Sequence, residues 1–346
     1  MSAENLTIAE IREQRQVTVI ETKGGGKKEL AIIGLILFVF FLYPLLPVIT
    51  GNNYNYSLHV LLFIFLYIAM ASSWNILGGY TGYISLGHNV FFAVGGYMAG
   101  TLLAYNGLSP FITWPLAGIM ALLVGFFFGF ITLRIRRGPA FIISTIALLM
   151  LVRILFDNWD FIGGSNGLSL PLLDLPVEFV KIPFYYSLLI LAIVTVYSSY
   201  RIRHSKLGLG LRAISQDEVK AEAAGIPTSF YKILAFAISG FFVGIAGAFW
   251  GQYLTYMRPN IYLIILIAAN LVLMSILGGR GTVAGPVLGA IILIVVNEFF
   301  VSEFGSSELN IVGTALIMLV VLLFFPLGIV GSLRKAGKLP KILDWD

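Results

Sequence analysis

The chain contains no cysteine and few charged residues. Cys is absent from all 346 positions, which excludes disulfides, thiolate metal ligands and a Cys nucleophile and leaves the redox compartment open. Charged residues make up only 11% of the chain, whereas soluble domains carry roughly a quarter. Hydrophobic residues make up 58%, and the mean hydropathy is +0.93. This composition predicts an integral membrane protein.

Acid, base and metal-ligand patterns are missing as well. The three histidines are scattered over different runs and loops, and no Asp or Glu in the middle of an apolar run stands three or four residues from a His. Membrane enzymes and most proton- or sodium-driven carriers need such groups at depth. Glu298, near the end of an apolar run, is the one carboxylate that keeps an ion-coupled carrier open. We expect no catalytic residue, no metal site and no cofactor.

A phosphate-binding loop is also missing. The pairs Gly26-Lys27 and Gly337-Lys338 lack the Ser or Thr and the preceding strand of the Gly-x-x-x-x-Gly-Lys-Ser/Thr motif. The Gly-rich stretch at 162–171 lacks the Lys. We therefore expect that the chain does not bind ATP, so that any ATP-driven work comes from another subunit.

Ten apolar runs are long enough to cross a ~30 Å hydrocarbon core, which takes about 20 residues. They lie near residues 30–50, 56–77, 87–105, 111–133, 139–157, 183–200, 232–256, 261–277, 284–301 and 310–331. The first run is too long for a signal-peptide core, so we interpret it as a retained span. The sequence predicts an all-α, polytopic bundle of about ten transmembrane helices with Gly-broken segments.

The basic residues predict the orientation, because Lys and Arg in short loops stay on the cytoplasmic side. With the N-terminus inside, nineteen of the 22 Lys and Arg residues fall on inner segments. Only Arg153, Lys181 and Arg258 fall on or near the outer side. The net charge of +5 therefore has an explanation in topology, and nucleic acid is not an expected partner.

This pattern divides the chain into three predicted parts in the cell membrane. They are a cytoplasmic extension at 1–29, a transmembrane domain at 30–332 and a cytoplasmic tail at 333–346. The loop at 201–232 is predicted inside, and the loop at 158–182 outside.

Two Gly-rich segments interrupt the apolar runs. NILGGYTGYISLGHNVFFAVGGYMAG (75–100) has four Gly within ten positions, and SILGGRGTVAGPVLGA (275–290) repeats its Ile-Leu-Gly-Gly. Gly costs about 1 kcal/mol relative to Ala in a helix interior, so we predict broken helices. Broken backbone at membrane depth either packs in protein or lines a wet cavity, and paired breaks point to a pathway between repeats. The predicted pathway residues are Gly78, Gly79, Thr81, Gly82, Ser85, His88, Asn89, Gly278, Gly279 and Gly281, with Phe91 and Phe92 as an apolar wall.

Gly-x-x-x-Gly recurs along the chain and places two Gly residues on one helix face, where backbones approach closely. We predict that these pairs pack helices together. They are Gly96/Gly100, Gly125/Gly129, Gly240/Gly244, Gly247/Gly251 and Gly285/Gly289.

The loop at 201–232 is long enough for a helix of its own. The residues from 213 to 224 favour a helix that ends at Gly225, with Pro227 beyond it as a stop. We expect the side chains of Asp217, Glu218 and Glu222 to point outward. The residues alone leave two interpretations open, a docking surface for a cytoplasmic partner and a solvated connector.

Five further motifs follow one another along roughly residues 60 to 332. They are LGGYTGYISLGHNVFFAVGGYMAG, IGGSNGLSLP, GLGLRAISQDEVKAEAAGIPTSFYKILAFAISGFFVGIAGAFWG, SILGGRGTVAGPVLGAIIL and FFPLGIVGSL. In this order they resemble the LivM-type permeases of ABC importers for branched-chain amino acids. The resemblance implies a second related, LivH-like permease, two ABC ATPase subunits and an extracytoplasmic substrate-binding protein. It also implies that the loop docks into the ATPase through Asp217, Glu218, Glu222, Ala223, Ala224 and Gly225.

The chain departs from this family's pattern at Tyr83, where relatives often carry Gln, and in its longer N-terminal extension. Tyr83 stands beside the predicted pathway, so the cargo stays open between branched-chain amino acids and urea or short amides. An ion-coupled secondary carrier is the alternative from another class.

Overall fold

The computed structural model describes residues 27–45, 54–134, 138–172, 176, 179–305, 312–313, 315–316, 319–320, 323–325 and 327–345. These residues are almost all helical. The helices are α1 (Lys27–Leu42), α2 (Asn55–Thr81), α3 (His88–Asn106), α4 (Pro110–Thr132), α5 (Gly138–Asp157), α6 (Lys181–Arg203), α7 (Lys206–Gln216), α8 (Glu218–Ala223), α9 (Thr228–Leu254), α10 (Pro259–Tyr262), α11 (Ile265–Gly278), α12 (Ala284–Phe304) and α13 (Gly328–Lys335). Two short strands, β1 (Leu168–Ser169) and β2 (Tyr256–Met257), pair antiparallel.

Within the described residues, seven helical segments are long and apolar enough to cross a membrane. They are α2, α4, α5, α6, α9, the segment Pro259–Gly278 and the segment Ala284–Glu303. The all-helical, multi-pass architecture is therefore confirmed, whereas the count of about ten spans is not. The predicted span at 87–105 is helical as α3, but it is not among the seven segments, and its Gly and polar residues make it less apolar.

The predicted first and last spans fall partly outside the described residues. In the first, α1 ends at Leu42 and a 3-10 turn covers Tyr43–Leu45, while 46–50 lie outside. In the last, the described residues between 312 and 324 are helical, Phe325 and Leu327 are not, and α13 begins at Gly328, so the predicted span near 310–331 is not one continuous helix; residues 310–311, 314, 317–318, 321–322 and 326 lie outside. Most of the predicted N-terminal extension, residues 1–26, also lies outside.

Helices α2 and α9 form the centre of the bundle. The most apolar window of α2 is 78% buried and that of α9 is 67% buried, against 33% for α4 and for α5. Helix α2 packs against α6, α9, α11 and α12, and α9 packs against α3 and α4. The outward faces of α4 and α5 carry exposed large apolar side chains such as Phe127 and Ile154. These faces suit lipid or another apolar chain.

Glycine sets the close approach of these central helices. A methyl group at Gly247 of α9 would lie 1.9 Å from the Phe92 carbonyl oxygen of α3, and one at Gly95 would lie 2.1 Å from the Gly244 carbonyl oxygen. A methyl group at Gly125 of α4 would lie 2.8 Å from Ala237 Cα. Backbone lies against backbone at these contacts, which confirms packing as the role of these Gly-rich faces.

The Gly-rich stretch at 162–171 forms a folded cap over the end of α9. The Tyr256 hydroxyl donates to the Asn166 carbonyl at 2.6 Å, and the Leu170 amide donates to the Thr255 carbonyl at 2.8 Å. Gly167 has φ +87°, and a Cβ there would meet the Met257 carbonyl oxygen at 2.6 Å. The stretch at 162–171 therefore has a structural role: it holds its own loop against the segment that follows α9.

Candidate functional site: two helix breaks and a surface helix

The first helix break confirms the sequence prediction but begins later than the Gly pair that suggests it. Helix α2 runs through Gly78 and Gly79 and ends only where Gly82 adopts φ +84°. Residues 82–87 are not helical, and α3 begins at His88. The Trp74 indole donates to the Ser85 carbonyl at 2.8 Å and so holds this segment against α2.

The second break joins α11 to α12 at residues 279–283. Gly279 and Gly281 have φ values of +132° and +78°, which favour glycine. The Thr282 hydroxyl donates to the Gly279 carbonyl at 2.7 Å and accepts from the Gly285 amide at 3.0 Å, which caps the start of α12. This break also confirms the prediction from the sequence.

Asn75 of α2 joins the two breaks. Its Nδ2 donates to the Thr282 carbonyl at 2.8 Å, and its Oδ1 accepts from the Gly281 amide at 2.9 Å. Asn75 is fully buried. Sequence analysis does not select it, although an Asn inside an apolar helix near a Gly pair is the signal that marks it. The side chain clamps the second break onto α2.

The predicted pathway residues lie mostly inside the packed bundle. Seven of them are buried, namely Gly78, Thr81, Ser85, His88, Asn89, Gly278 and Gly279, while Gly79, Gly82 and Gly281 are partly exposed. A Cβ at Gly79 would lie 1.8 Å from Asn75 Oδ1 and 3.0 Å from the Gly281 nitrogen. A Cβ at Gly278 would lie 1.7 Å from the Gly285 carbonyl oxygen. At Gly79 and Gly278 the structure favours packing over a cavity lining.

The polar side chains at the start of α3 keep atoms without a partner among the described residues. His88 Nε2 lies 3.1 Å from the Ser239 hydroxyl, and the Asn89 amide donates to the Ile264 carbonyl. Among the described residues, His88 Nδ1 and Asn89 Oδ1 are buried and have no hydrogen-bond partner. Because unpaired buried polar atoms are costly, these atoms suit a polar group that enters the bundle.

The predicted apolar wall is occupied by neighbours in this conformation. The Phe91 ring packs on Phe236 with centroids 4.8 Å apart, and the Phe92 ring packs on Tyr262 at 5.1 Å. Both Phe residues are buried. They serve as core side chains here.

Glu298 is the carboxylate on which the alternative of an ion-coupled carrier depends, and it lies far from both breaks. Its Oε2 accepts a hydrogen bond of 3.2 Å from the hydroxyl of Tyr56, the second residue of α2. The breaks lie at the other end of α2. Among the described residues, no group of three His, Asp or Glu side chains is placed to hold a metal ion.

The predicted single helix over 213–224 is wrong. The chain forms two helices, α7 and α8, separated by Asp217 with φ −163° and ψ 108°. Asp217 Oδ1 accepts from the amides of Val219 at 3.0 Å and Lys220 at 3.1 Å. The bond from the Lys220 amide lowers the pKa of Asp217, so this carboxylate is charged at neutral pH. Asp is a strong N-cap residue, and it starts a new helix here.

The residues predicted to meet an ATPase divide into two groups. Glu222, Ala223, Ala224 and Gly225 are exposed at the end of α8, and Asp217 is partly exposed. Glu218 does not point outward as expected, because its carboxylate turns toward the body of the protein.

Glu218 meets two side chains that sequence analysis does not connect with it. Its Oε1 accepts from Lys232 Nζ at 2.6 Å, and its Oε2 accepts from the Tyr83 hydroxyl. Lys232 is fully buried near the start of α9. Tyr83, which belongs to the first break, therefore connects this break with α8.

Comparison with known proteins connects these features. The family model described as the permease component of branched-chain amino acid transport systems matches residues 56–325. The chain belongs to this family. The matched range of the permease includes both breaks, Asn75 and α8, and it leaves out α1, α13 and the whole predicted C-terminal tail.

The permease resembles named relatives over most of its length. It is 28% identical to the high-affinity branched-chain amino acid transport system permease protein LivM of Escherichia coli K12 over 301 residues, which cover 79% of this chain and 70% of that protein. It is 28% identical to BraD of Pseudomonas aeruginosa over 77% of this chain and 91% of that protein. It is 24% identical to LivH of Salmonella typhimurium over the same shares. No solved structure matches it.

Proposed function

We propose that this permease is the LivM-type subunit of an ATP-driven importer that carries Leu, Ile and Val across the cytoplasmic membrane. The family match over residues 56–325 carries the proposal, because it includes both helix breaks and the surface helix α8. ATP is hydrolysed by partner subunits, and α8 receives the work through a contact with one of them.

The proposed assembly contains a second, LivH-type permease, two ABC ATPase subunits and an extracytoplasmic binding protein. Relatives that are named LivM and LivH both match this chain, which supports a pair of related permeases. The exposed apolar side chains of α4 and α5 suit such a partner or lipid. The exposed end of α8 suits the ATPase.

The substrate path is proposed to pass the start of α3. A zwitterion needs donors for its carboxylate, and the amides at a helix N-terminus supply them. The unpaired atoms of His88 and Asn89 lie in the first turn of α3 and suit the polar part of such a ligand. Movement of Phe91 and Phe92 away from Phe236 and Tyr262 would open an apolar wall for its side chain.

The alternative cargo, urea or a short amide, finds little support at Tyr83. The hydroxyl of Tyr83 is bonded to Glu218 and lies beside Lys232, so the departure at this position concerns the contact with α8. Branched-chain amino acids remain the proposed substrate.

Transport by the complete complex tests the function. Proteoliposomes that hold both permeases, the ATPases and the binding protein should accumulate radiolabelled leucine, isoleucine and valine. They should do so only when ATP is supplied on the side of the membrane where the ATPase subunits lie. A protonophore should have no effect. Uptake of urea or acetamide instead would replace the cargo, and uptake without ATP would contradict the importer.

The charge asymmetry predicts the orientation of the loops, and the absence of cysteine makes it easy to test. Single Cys residues replace Ser165 in the cap and Ser215 in α7, both of which are exposed. We expect an impermeant maleimide added to intact cells to label Ser165→Cys but not Ser215→Cys. Permeabilised cells are the control and should label both. The reverse pattern in intact cells would contradict cytoplasmic termini and a cytoplasmic α8.

A further inference from the structure

The first break, α8 and α9 meet at the side chains of Tyr83, Glu218 and Lys232, which we call the Tyr–Glu–Lys cluster. Besides its two bonds to Glu218, the cluster holds Lys232 Nζ at 3.5 Å from the Tyr83 hydroxyl and 4.5 Å from the centroid of its ring. Tyr83 is 135 residues from Glu218 and 149 from Lys232 along the chain. The cluster therefore fastens α8 to the first break and to α9.

Burial distinguishes this ion pair from its neighbour on the same helix. The Lys232 side chain is 0% exposed and that of Glu218 is 12% exposed, whereas Lys220 and Asp217 form a pair that is 85% and 37% exposed. Exposed pairs contribute little to stability, while opening a buried pair leaves a charge without a partner in a poorly solvated place. Displacement of α8 is therefore passed on to Lys232 and Tyr83 before the pair opens.

Two routes lead from the cluster to the start of α3. Tyr83 itself belongs to the segment 82–87, which leads directly into His88. Lys232 and Ser239 are seven residues apart on α9, about two turns on one face, and Ser239 contacts His88 Nε2 at 3.1 Å. Both routes end at the polar side chains proposed to meet the substrate.

We propose that the Tyr–Glu–Lys cluster transmits displacement of α8 to the first helix break and so couples ATP hydrolysis to transport. The proposal rests on the proposed docking of an ATPase to α8. The exposed residues at the end of α8 receive the movement, and Glu218 passes it to Lys232 and Tyr83. All three are positioning residues. Loss of one member should leave docking intact and separate hydrolysis from transport.

The test measures leucine uptake and ATP hydrolysis together in proteoliposomes that hold the complete complex. Glu218→Gln keeps the shape of the side chain and removes its charge. We expect substrate-stimulated hydrolysis to stay within about twofold of the unaltered complex, while leucine carried per ATP falls about tenfold or more, because a buried charge loses its partner. A purely structural role would lower both rates together.

Asp344→Asn is the matched control, since it makes the same change from carboxylate to amide in the exposed Arg334–Asp344 ion pair of the C-terminal tail, away from α8. It should change neither rate. Tyr83→Phe keeps the ion pair and the ring and removes the hydroxyl that bonds to Glu218 and contacts Lys232 Nζ, so the ratio should fall about threefold. If Glu218→Gln does not assemble, Tyr83→Phe decides the question, because it leaves no buried charge unpaired.

Two outcomes would overturn the link, and they are distinguishable from failure of the docking proposal. The first outcome is that leucine carried per ATP is unchanged in Tyr83→Phe and in an assembled Glu218→Gln, while Glu222→Arg is inactive. The docking proposal then stands, and the cluster is excluded as the transmitter. A parallel loss of hydrolysis and uptake in Tyr83→Phe makes the cluster structural. If instead Glu222→Arg is fully active, α8 is not the docking helix, and both the docking proposal and the cluster proposal are contradicted.

Discussion

The Glu222→Arg permease is expected to fold and insert normally, to hold its ATPase subunits less tightly, and to lose both leucine uptake and substrate-stimulated ATP hydrolysis. Glu222 is exposed on the last turn of α8, beside exposed Ala223 and Ala224. An ATPase that docks there meets a negative charge, and reversal sets like charges together at a cost of several kcal/mol, which corresponds to a loss of about a hundredfold or more in contact affinity. Uptake and hydrolysis in proteoliposomes measure the loss, and size-exclusion chromatography measures assembly.

The control is Lys338→Glu, which reverses an exposed charge in the C-terminal tail. It should leave both rates unchanged, because surface substitutions away from an interface stay within roughly 0.5 kcal/mol. The affinity of the separate binding protein for leucine should not change in either variant. A fully active Glu222→Arg complex would make the loop a connector, the interpretation that the sequence alone leaves open.

Local sequence patterns predict the helix breaks and the tight helix packing because both depend on glycine at known spacings. Residues 82–87 and 279–283 are indeed irregular, and Gly247 and Gly125 do bring backbones into contact. These features follow from the missing Cβ and from the 3.6-residue period, which can be read in one short stretch.

The contacts of Asn75 and Glu218 depend on residues that are remote in the sequence. Asn75 binds Thr282, 207 positions away, and Glu218 binds Tyr83, 135 positions away. Glu218 and Glu222 stand four apart, and on one long helix they would share a face. They also share the six-residue helix that the Asp217 cap starts at Glu218, yet only the Glu218 carboxylate contacts Lys232, while Glu222 is exposed. No local pattern distinguishes them.

The local sequence and the long-range contacts also predict different effects for the substitution Gly79→Leu. A pathway lining predicts an assembled permease that does not transport, whereas the structure places the new Cβ 1.8 Å from Asn75 Oδ1 and 3.0 Å from the Gly281 nitrogen. The Asn75 side chain would have to leave, and the Gly281 amide and the Thr282 carbonyl would lose their partner. We therefore expect loss of the folded complex, measured as the fraction that elutes as one species after extraction in mild detergent.

The expected size of the effect follows from the groups that Leu disturbs. Each buried backbone group left unpaired costs about 1–3 kcal/mol, and overpacking adds about 1–3 kcal/mol, which together approach the net stability of about 5–15 kcal/mol of a typical domain. Gly34→Leu is the control, because nothing lies within 4 Å of a Cβ at this exposed position of α1. In the double variant Asn75→Ala/Gly79→Leu, the colliding side chain is already absent, so assembly should be no lower than in Gly79→Leu alone. A Gly79→Leu complex that assembles fully and fails only in uptake would instead show that Gly79 lines the path of the substrate and that the Asn75 clamp opens during transport.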